Sequence, residues 1–286
     1  MSGPLLAVDG PFILYRSFFA LPSSIAGVEG RPVNALLGAT NLLLRVVEDR
    51  SPRAVVVCFG AEAAEYRVAA YPGYHAERPA VPDILQWQFD AAPELFDAFG
   101  WGSQSAPALE ADDVMHSHAQ AETAAGGRSL ILSGDRDMYQ SASDSVTVLY
   151  LKMGGAGVQE VDPWEVENRY GIPPSLVPDF IALRGDPSDG LPGAPGIGAK
   201  TAADLLRRHG SLEAAIAHAD EERPRIAAIL RDNAADLRKF HDIATLRATR
   251  VDRAADRATD LLGGAEAARR HGMRKLAERL GSGGVD

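Results

Sequence analysis

The chain has 286 residues, of which 46% are hydrophobic and 24% are charged, and this composition is typical of a soluble globular protein with one large domain or two. Its single cysteine, Cys58 in the apolar run AVVVCF, excludes an intrachain disulfide and is expected to be a buried thiol in a reducing cytoplasm. The N-terminus has no basic region before its apolar stretch, and no run approaches ~18 apolar residues, so we expect neither an export signal nor a membrane span.

The net charge of −10 is distributed unevenly along the chain. Residues 1–199 carry 12 Lys and Arg against 25 Asp and Glu, whereas residues 200–286 carry 17 against 14. Nucleic-acid binding depends largely on cations placed against phosphates, so this charge weakens a DNA-binding interpretation. It does not exclude one, because two or three divalent ions would add about +4 to +6 to the acidic part.

Short apolar runs alternate with helical patterns in the first part of the chain. Strands are predicted at 5–9, 54–59, 129–133 and 146–150, and helices at 33–49, 83–98 and 111–124. This alternation indicates βαβ units around a mostly parallel sheet, that is, an α/β fold. After residue 160 only helices are predicted, at 175–184, 199–208, 211–218, 224–240 and 264–280. We therefore divide the chain into an α/β core at 1–160 and a helical region at 161–286.

Eight carboxylates occur in short clusters that end or follow predicted strands, begin a predicted helix or precede a glycine-rich turn. They are Asp9, Glu110, Asp112, Asp113, Asp135, Asp137, Asp186 and Asp189. Each one alone is explained equally well as a helix cap or a turn acid. Ligands of parallel sheets bind beyond the carboxyl ends of the strands, so one crevice could collect all of these acids. Gathered acids repel one another unless cations neutralise them, and oxygen ligands suit Mg²⁺ or Mn²⁺.

A glycine-rich turn, GAPGIGAKTA at 193–202, follows the last acids. Gly196 and Gly198 permit the close approach of a phosphate to backbone N–H groups at a helix N-terminus, and Lys200 opens that helix. The alternative is a tight connection between two helices, which glycine and proline also favour. Acids that could hold metals beside a turn that could hold a phosphate indicate metal-assisted phosphodiester hydrolysis.

In this order the motifs resemble the 5′-nuclease family, which comprises flap endonucleases and the 5′→3′ exonuclease domains of bacterial DNA polymerase I. The resemblance runs from Leu5 to about Leu246 and rests on EADDV, GDRD, GDPSDGLPG and PGIGAKTA. It implies a mixed-sheet core of the PIN-like type, a mobile helical arch at about 61–100, and a helix-hairpin-helix DNA clasp at about 175–210. The length leaves no room for a polymerase domain, so we expect a stand-alone protein.

The resemblance also implies roles for single residues. Asp9, Glu110, Asp112 and Asp135 resemble ligands of a first metal, while Asp135, Asp137, Asp186 and Asp189 resemble those of a second, with Asp113 nearby. Tyr74 and Arg78 match the arch-base motif that orients the scissile phosphate, and Arg16 matches an arginine near the incised strand. Gly196, Gly198 and Lys200 match the duplex clasp, where K⁺ can bind. The implied enzyme is a monomer that cleaves flap, nicked or 5′-recessed DNA, and RNA primers paired with DNA.

Two departures from the family pattern affect this interpretation. Gly60 stands where the family has an acid after the second strand, and Glu62 could substitute for it. His75 stands where the family has a lysine, and histidine carries little charge at neutral pH. The segment 61–100 is also poor in cations, so it could instead be a helix packed on the core through Trp87, Phe89 and Phe96.

Two other functions therefore stay open at this point. The first is a DNA-junction binding protein whose nuclease activity has decayed, which the Gly60 and His75 departures would favour. The second is a single-strand ribonuclease of the related acid-rich sheet class, against which the helix-hairpin-helix turn argues.

Overall fold

The computed structural model describes residues 3–152 and 157–282. Its centre is a six-stranded sheet with the order β3-β2-β1-β4-β5-β6. The first five strands of this sheet are parallel and β6 runs antiparallel to β5, which confirms the mostly parallel α/β sheet expected from the sequence. The strands are β1 (Leu5–Asp9), β2 (Ala54–Gly60), β3 (Gly102–Ala106), β4 (Ser129–Ser133), β5 (Val146–Tyr150) and β6 (Gln159–Val161).

Helices cover both faces of the sheet. In the first half they are α1 (Gly10–Ala20), α2 (Asn34–Arg50), α3 (Glu65–Ala70), α4 (Asp83–Ala98), α5 (Ala111–Ala124) and α6 (Pro163–Tyr170). In the second half they are α7 (Val177–Arg184), α8 (Ala199–His209), α9 (Leu212–Ala217), α10 (Pro224–Asp232), α11 (Ala234–Ala244), α12 (Leu261–Arg270) and α13 (Arg274–Gly281). None of the helices in the described residues is long and apolar enough to cross a membrane.

The alternation of side chains along β1 divides the core into two layers. Leu5 and Ala7 belong to a cluster with α5 and the helices α7 to α11, whereas Leu6 and Val8 belong to a cluster with α2, α4, α12 and α13. Successive residues of a strand point to opposite faces, so a strand covered on both sides is apolar throughout. All five residues of β1 are buried accordingly, which places Asp9 at the rim of the core.

The end of the chain returns to the sheet. Residues 246–260 form an irregular segment along α5, where the Arg247 amide donates to Asp113 Oδ1 (2.8 Å) and the Thr249 amide donates to Ser117 Oγ (2.8 Å). Helices α12 and α13 then pack on the layer of α2 and α4. The predicted helical region is therefore not one body in space, because its last two helices cover the α/β core.

Several elements differ from the sequence-based prediction. The prediction missed α1, α3 and α6, and it missed the strands β3 and β6. β3 has the sequence GSQSA, which lacks the β-branched residues typical of strands, and it pairs at the edge with β2. The predicted helices 224–240 and 264–280 are each two helices, because Asn233 ends α10 and Gly272, at φ +80°, separates α12 from α13.

The segment 61–100 packs as an ordinary part of the core over much of its length. Leu85 and Phe96 of α4 are fully buried, and α4 contacts α1, α2 and α12. Trp87 and Phe89 are partly buried against the same layer. These contacts favour a packed helix over a free arch for α4. The loop 71–82, which precedes α4, borders a cavity at the carboxyl ends of the strands.

Candidate active site

A cavity of about 940 Å³ opens at the carboxyl ends of β1, β2 and β4. It is bordered by the first turns of α1 and α5, by α4, by the loop 71–82 and by the turn after α7. The predicted site residues that line it are Asp9, Tyr74, His75, Arg78, Glu110, Asp112, Asp135, Asp186 and Asp189. The tertiary structure thus brings nine of the predicted residues to one place.

Asp9 and Asp135 are joined through one hydroxyl. One oxygen of Asp9 accepts the Phe12 amide (2.9 Å), which caps α1, and the other accepts Ser133 Oγ (2.7 Å). Ser133 Oγ in turn accepts the Asp135 amide (3.0 Å). The end of β4 is therefore held at a fixed position beside the end of β1.

The acids of the cavity interact electrostatically with one another. Burial raises the pKa of Asp112 well above its ordinary value, and the charges of Asp135 and Asp9 raise it further. Burial also raises the pKa of Asp135 to about 7, with added contributions from Asp189 and Asp186. Carboxylates from four separate segments of the chain thus face a common space in which their charges oppose one another.

This donor set fits a hard divalent cation. Carboxylate oxygens that repel one another are neutralised by a bound cation, and Mg²⁺ and Mn²⁺ prefer such ligands. Over residues 3–152 and 157–282, however, no three His, Cys, Asp or Glu side chains already stand in position to hold an ion.

Glu110 is held by the protein on both of its oxygens. Oε1 accepts the Ala64 amide (2.8 Å), and Oε2 accepts the Tyr74 hydroxyl (2.9 Å) and contacts Arg67 Nη1 (3.0 Å). Tyr74 is buried, and its hydroxyl points at the Glu110 carboxylate. Tyr74 therefore fixes the position of Glu110.

Asp113 is not among the residues that line the cavity. It is fully buried, and its oxygens accept hydrogen bonds from Arg67, from the Arg247 amide and from the Glu110 amide (3.2 Å). It acts as a structural cap at the start of α5. Asp137 likewise lies behind the cavity, with its amide donating to Asp135 Oδ1 (2.8 Å), yet burial and the charge of Asp135 raise its pKa well above the ordinary value.

Gly60 explains the missing acid in physical terms. A Cβ atom at this position would lie 2.6 Å from the carbonyl carbon of Glu110 and 2.7 Å from the Ala111 amide nitrogen. The end of β2 thus packs directly on the start of α5 and leaves no space for a side chain. Glu62, two residues further along the chain, is exposed and lines the cavity. Burial raises the pKa of Tyr15, and the negative charge of Glu62 raises it further.

The helix-hairpin turn belongs to the connection between α7 and α8, which also carries Asp186 and Asp189. Gly196 has φ +79°, which favours glycine, and Gly198 precedes the first residue of α8. Lys200 is exposed in the first turn of α8, as the sequence predicted. Arg16, in contrast, is partly buried within α1 and is not among the residues that line the cavity.

The cavity also contains cations and aromatic residues that the sequence did not single out. Arg136 lies over the Tyr150 ring at 5.8 Å, and Arg184 contacts Asp186 at 3.1 Å. Arg136 stands within the motif GDRD and Arg184 begins the motif RGDPSD, so their position next to the acids could have identified them from the sequence. The aromatic residues Phe12, Tyr15, Phe19, Phe59 and Phe89 also line it, and of these the sequence analysis named only Phe89, as a packing residue.

Comparisons with known proteins agree with this architecture. Residues 4–171 match the 5'-3' exonuclease N-terminal resolvase-like domain, and residues 172–259 match the 5'-3' exonuclease C-terminal SAM fold. The chain is 41% identical over 251 residues to a 5'-3' exonuclease of Mycobacterium tuberculosis, covering 81% of this chain and 78% of that protein. It is 37% identical over 287 residues to the thermostable DNA polymerase I of Thermus thermophilus, covering 99% of this chain but only 33% of the polymerase.

Solved structures share the fold at low sequence identity. T5 5'-exonuclease with bound divalent zinc ions is similar with a TM-score of 0.69 and 17% identity, over 98% of this chain and 97% of that one. The catalytic core of Rad2 in complex with a DNA substrate is similar with a TM-score of 0.63 and 13% identity, over 98% and 91%. Since both domains of the family match in order and a relative with 41% identity covers most of both chains, the chain belongs to the 5'-3' exonuclease family.

Proposed function

We propose that the protein is a metal-dependent, structure-specific nuclease that hydrolyses DNA at 5′ flaps, nicks and recessed 5′ ends. The observation that carries the proposal is the convergence of Asp9, Asp112, Asp135, Asp186 and Asp189 on one cavity, where burial and neighbouring charges raise the pKa of Asp112 and Asp135. Relatives named exonucleases support the reaction class, and the Rad2 core in complex with DNA supports the substrate class.

Each group of side chains has a distinct part in this proposal. Divalent ions, Mg²⁺ or Mn²⁺, would be held by the cavity carboxylates and would supply an activated water and stabilise the leaving oxygen. Arg78, whose side chain is 43% exposed at the cavity, would bind the scissile phosphate. Tyr74 and His75 would keep Glu110 and Asp189 in place. Lys200 would contact the phosphates of the duplex.

The proposal extends to features that rest on the resemblance alone. They are a K⁺ ion at the carbonyls of the glycine turn, action on RNA primers paired with DNA, and a monomeric enzyme. The competing interpretation is an inactive junction-binding protein, and the close packing of β2 on α5 gives Gly60 a structural reason of its own.

The test is cleavage of an end-labelled 5′-flap DNA in Mg²⁺ or Mn²⁺, with and without chelator. We expect cleavage only when metal is present. We also expect loss of cleavage in Asp135→Asn, because the Asp135 carboxylate interacts electrostatically with Asp189, Asp186 and Asp9. Asp144→Asn is the matched control, since this exposed acid lies outside the cavity. Cleavage in the presence of chelator, or an active Asp135→Asn variant, would refute the proposal.

A further inference from the structure

The cavity has two chemically different walls. Besides the acids, Phe12, Tyr15 and Phe19 of α1 and Phe89 of α4 line the cavity and form an aromatic surface, here termed the aromatic shelf. Most of a nucleotide's charge lies on its phosphate, and its base is a flat apolar ring system. Divalent ions held by the acids would bind the phosphate, and the aromatic rings could contact the base, so the cavity can accept both parts of a nucleotide.

The aromatic shelf is continuous from the acids to the mouth of the cavity. The Phe12 ring lies on Gly134, next to Asp135, so closely that a Cβ atom on that glycine would be 2.8 Å from Phe12 Cε1. Tyr15 contacts Phe89 edge to face with centroids 5.3 Å apart, and it lies nearly parallel to Phe19, at 11° and 6.5 Å. The shelf thus begins beside the carboxylates and ends at Phe19.

Phe19 is the part of the shelf that is open to solvent. Its side chain is 68% exposed, and its ring is supported by an edge contact with Phe18 (5.2 Å, 81°). Bases stack on exposed aromatic side chains, with little dependence on sequence because every base has a π face. A supported and exposed ring in the same cavity as the acids is suited to this contact.

The charge of the neighbouring segment makes such a contact more important. The only basic residues between Ala61 and Gly100 are Arg67 and Arg78, and Arg67 is buried and paired with Asp113 and Glu110. Cations that usually guide a single strand are therefore scarce on this side of the cavity. Stacking can hold the strand without adding positive charge next to the acids.

We propose that Phe19 stacks on an unpaired base of the strand being cut, with Tyr15 behind it. This inference rests on the proposed nuclease function and adds a recognition residue for the unpaired strand. Phe19 lies on α1, ten residues after Asp9, and ten residues of helix correspond to a length of about 15 Å. At about 3.4 Å per stacked nucleotide, the base lies within about four nucleotides of the scissile phosphate.

The test combines a protein change with a substrate change. Flap DNAs carrying one abasic site, placed in turn at each of the four nucleotides on either side of the scissile phosphate, are compared for the wild type, Phe19→Ala, Phe19→Leu and Trp164→Ala. Trp164 is the control, because it is equally exposed (69%) but lies on α6, outside the cavity. Affinity is measured in the Asp135→Asn background, and kcat/KM is measured without that change.

We expect one position at which the abasic site weakens wild-type binding about tenfold, as the loss of one stacked base does. Phe19→Ala should lose about as much affinity for intact DNA, and the abasic site should not weaken its binding any further. Phe19→Leu should lose less affinity than Phe19→Ala, and Trp164→Ala should bind both DNAs like the wild type. Equal abasic effects in the wild type and Phe19→Ala at all positions would overturn the proposal. Because affinity is read without cleavage, absence of cleavage by the wild type would refute the nuclease function and leave the stacking result standing.

Discussion

Nε2 of His75 lies 3.0 Å from Oδ1 of Asp189, and the two residues come from different parts of the chain. The His75 amide also donates to the Asp189 carbonyl (3.1 Å), and a Cβ atom on Gly190 would lie 2.5 Å from the Gly73 carbonyl. The turn after α7 is therefore docked on the loop 71–82 by backbone packing as well as by the imidazole. His75, which stands where the family has a lysine, holds an acid of the cavity.

Removal of the His75 side chain should weaken metal binding more than DNA binding. His75 has φ +54°, so His75→Gly removes the imidazole without backbone strain, and His75→Asn keeps a hydrogen-bonding group at a φ that asparagine tolerates. Loss of the partner of a metal ligand typically costs about 10–100-fold in metal affinity or activity. We expect His75→Gly to require more Mn²⁺ for half-maximal cleavage, with His75→Asn closer to the wild type. Identical metal titrations for all three proteins would show that this contact does not support the metal site.

Gly60→Asp should lower stability and should not raise activity. The added Cβ would overlap the backbone of Glu110 and Ala111, so β2 and α5 would have to separate. Overpacking of a well-packed core typically costs about 1–3 kcal/mol, and the carboxylate adds a desolvation cost. Gly102→Asp is the matched control, because glycine 102 lies on the adjacent strand β3 with no atom within 4 Å of its Cβ position. Denaturant unfolding measures both, and an active Gly60→Asp protein of wild-type stability would contradict the prediction.

Lys200→Ala should weaken duplex binding and reduce its dependence on salt. Lys200 is exposed in the first turn of α8, beside the open turn that contains Gly196 and Gly198. One lost phosphate contact should lower the slope of log affinity against log salt by about 1. Lys239→Ala is the control, since Lys239 is exposed and paired with Asp236. Titrations with catalysis blocked by Asp135→Asn provide the measurement, and an unchanged slope would indicate that the turn is only a helix connection.

His118 should make the protein less stable in acid. It is buried on α5, its two ring nitrogens have no hydrogen-bond partner within the described residues, and burial lowers its pKa. In the unfolded chain His118 is protonated near pH 6.5, whereas in the folded chain it stays neutral to a lower pH. The free energy of unfolding therefore decreases as the pH falls below about 6.5.

His118→Leu should accordingly flatten the decrease in Tm between pH 7.5 and pH 5.5. His218→Leu is the control, because the His218 side chain is 58% exposed and contacts Glu221. The Tm of the three proteins across this pH range is the measurement. Parallel curves for the wild type and His118→Leu would mean that His118 is protonated in the folded state as readily as in the unfolded chain.

Much of the fold and of the acidic site was predictable from local patterns. β1, β2, β4 and β5 are mostly apolar runs, since a strand buried on both faces must be apolar. Asp9 at the end of β1 and Asp135 after β4 share one edge because parallel strands end on the same side. The family motifs are equally local. The strand β3 was missed because GSQSA carries no apolar pattern, and only its pairing with β2 makes it a strand.

The sequence by itself determined which residues are present at the ends of the strands, and the tertiary structure decided what each of them contacts. Asp112 and Asp113 are neighbours in the sequence, yet the helical rotation between them turns one toward the cavity and the other into a buried contact with Arg67. Gly60 could not be explained without the position of α5, and the aromatic shelf required α1 and α4 to meet. Such contacts join residues far apart in the chain, so their geometry depends on packing that no local pattern records.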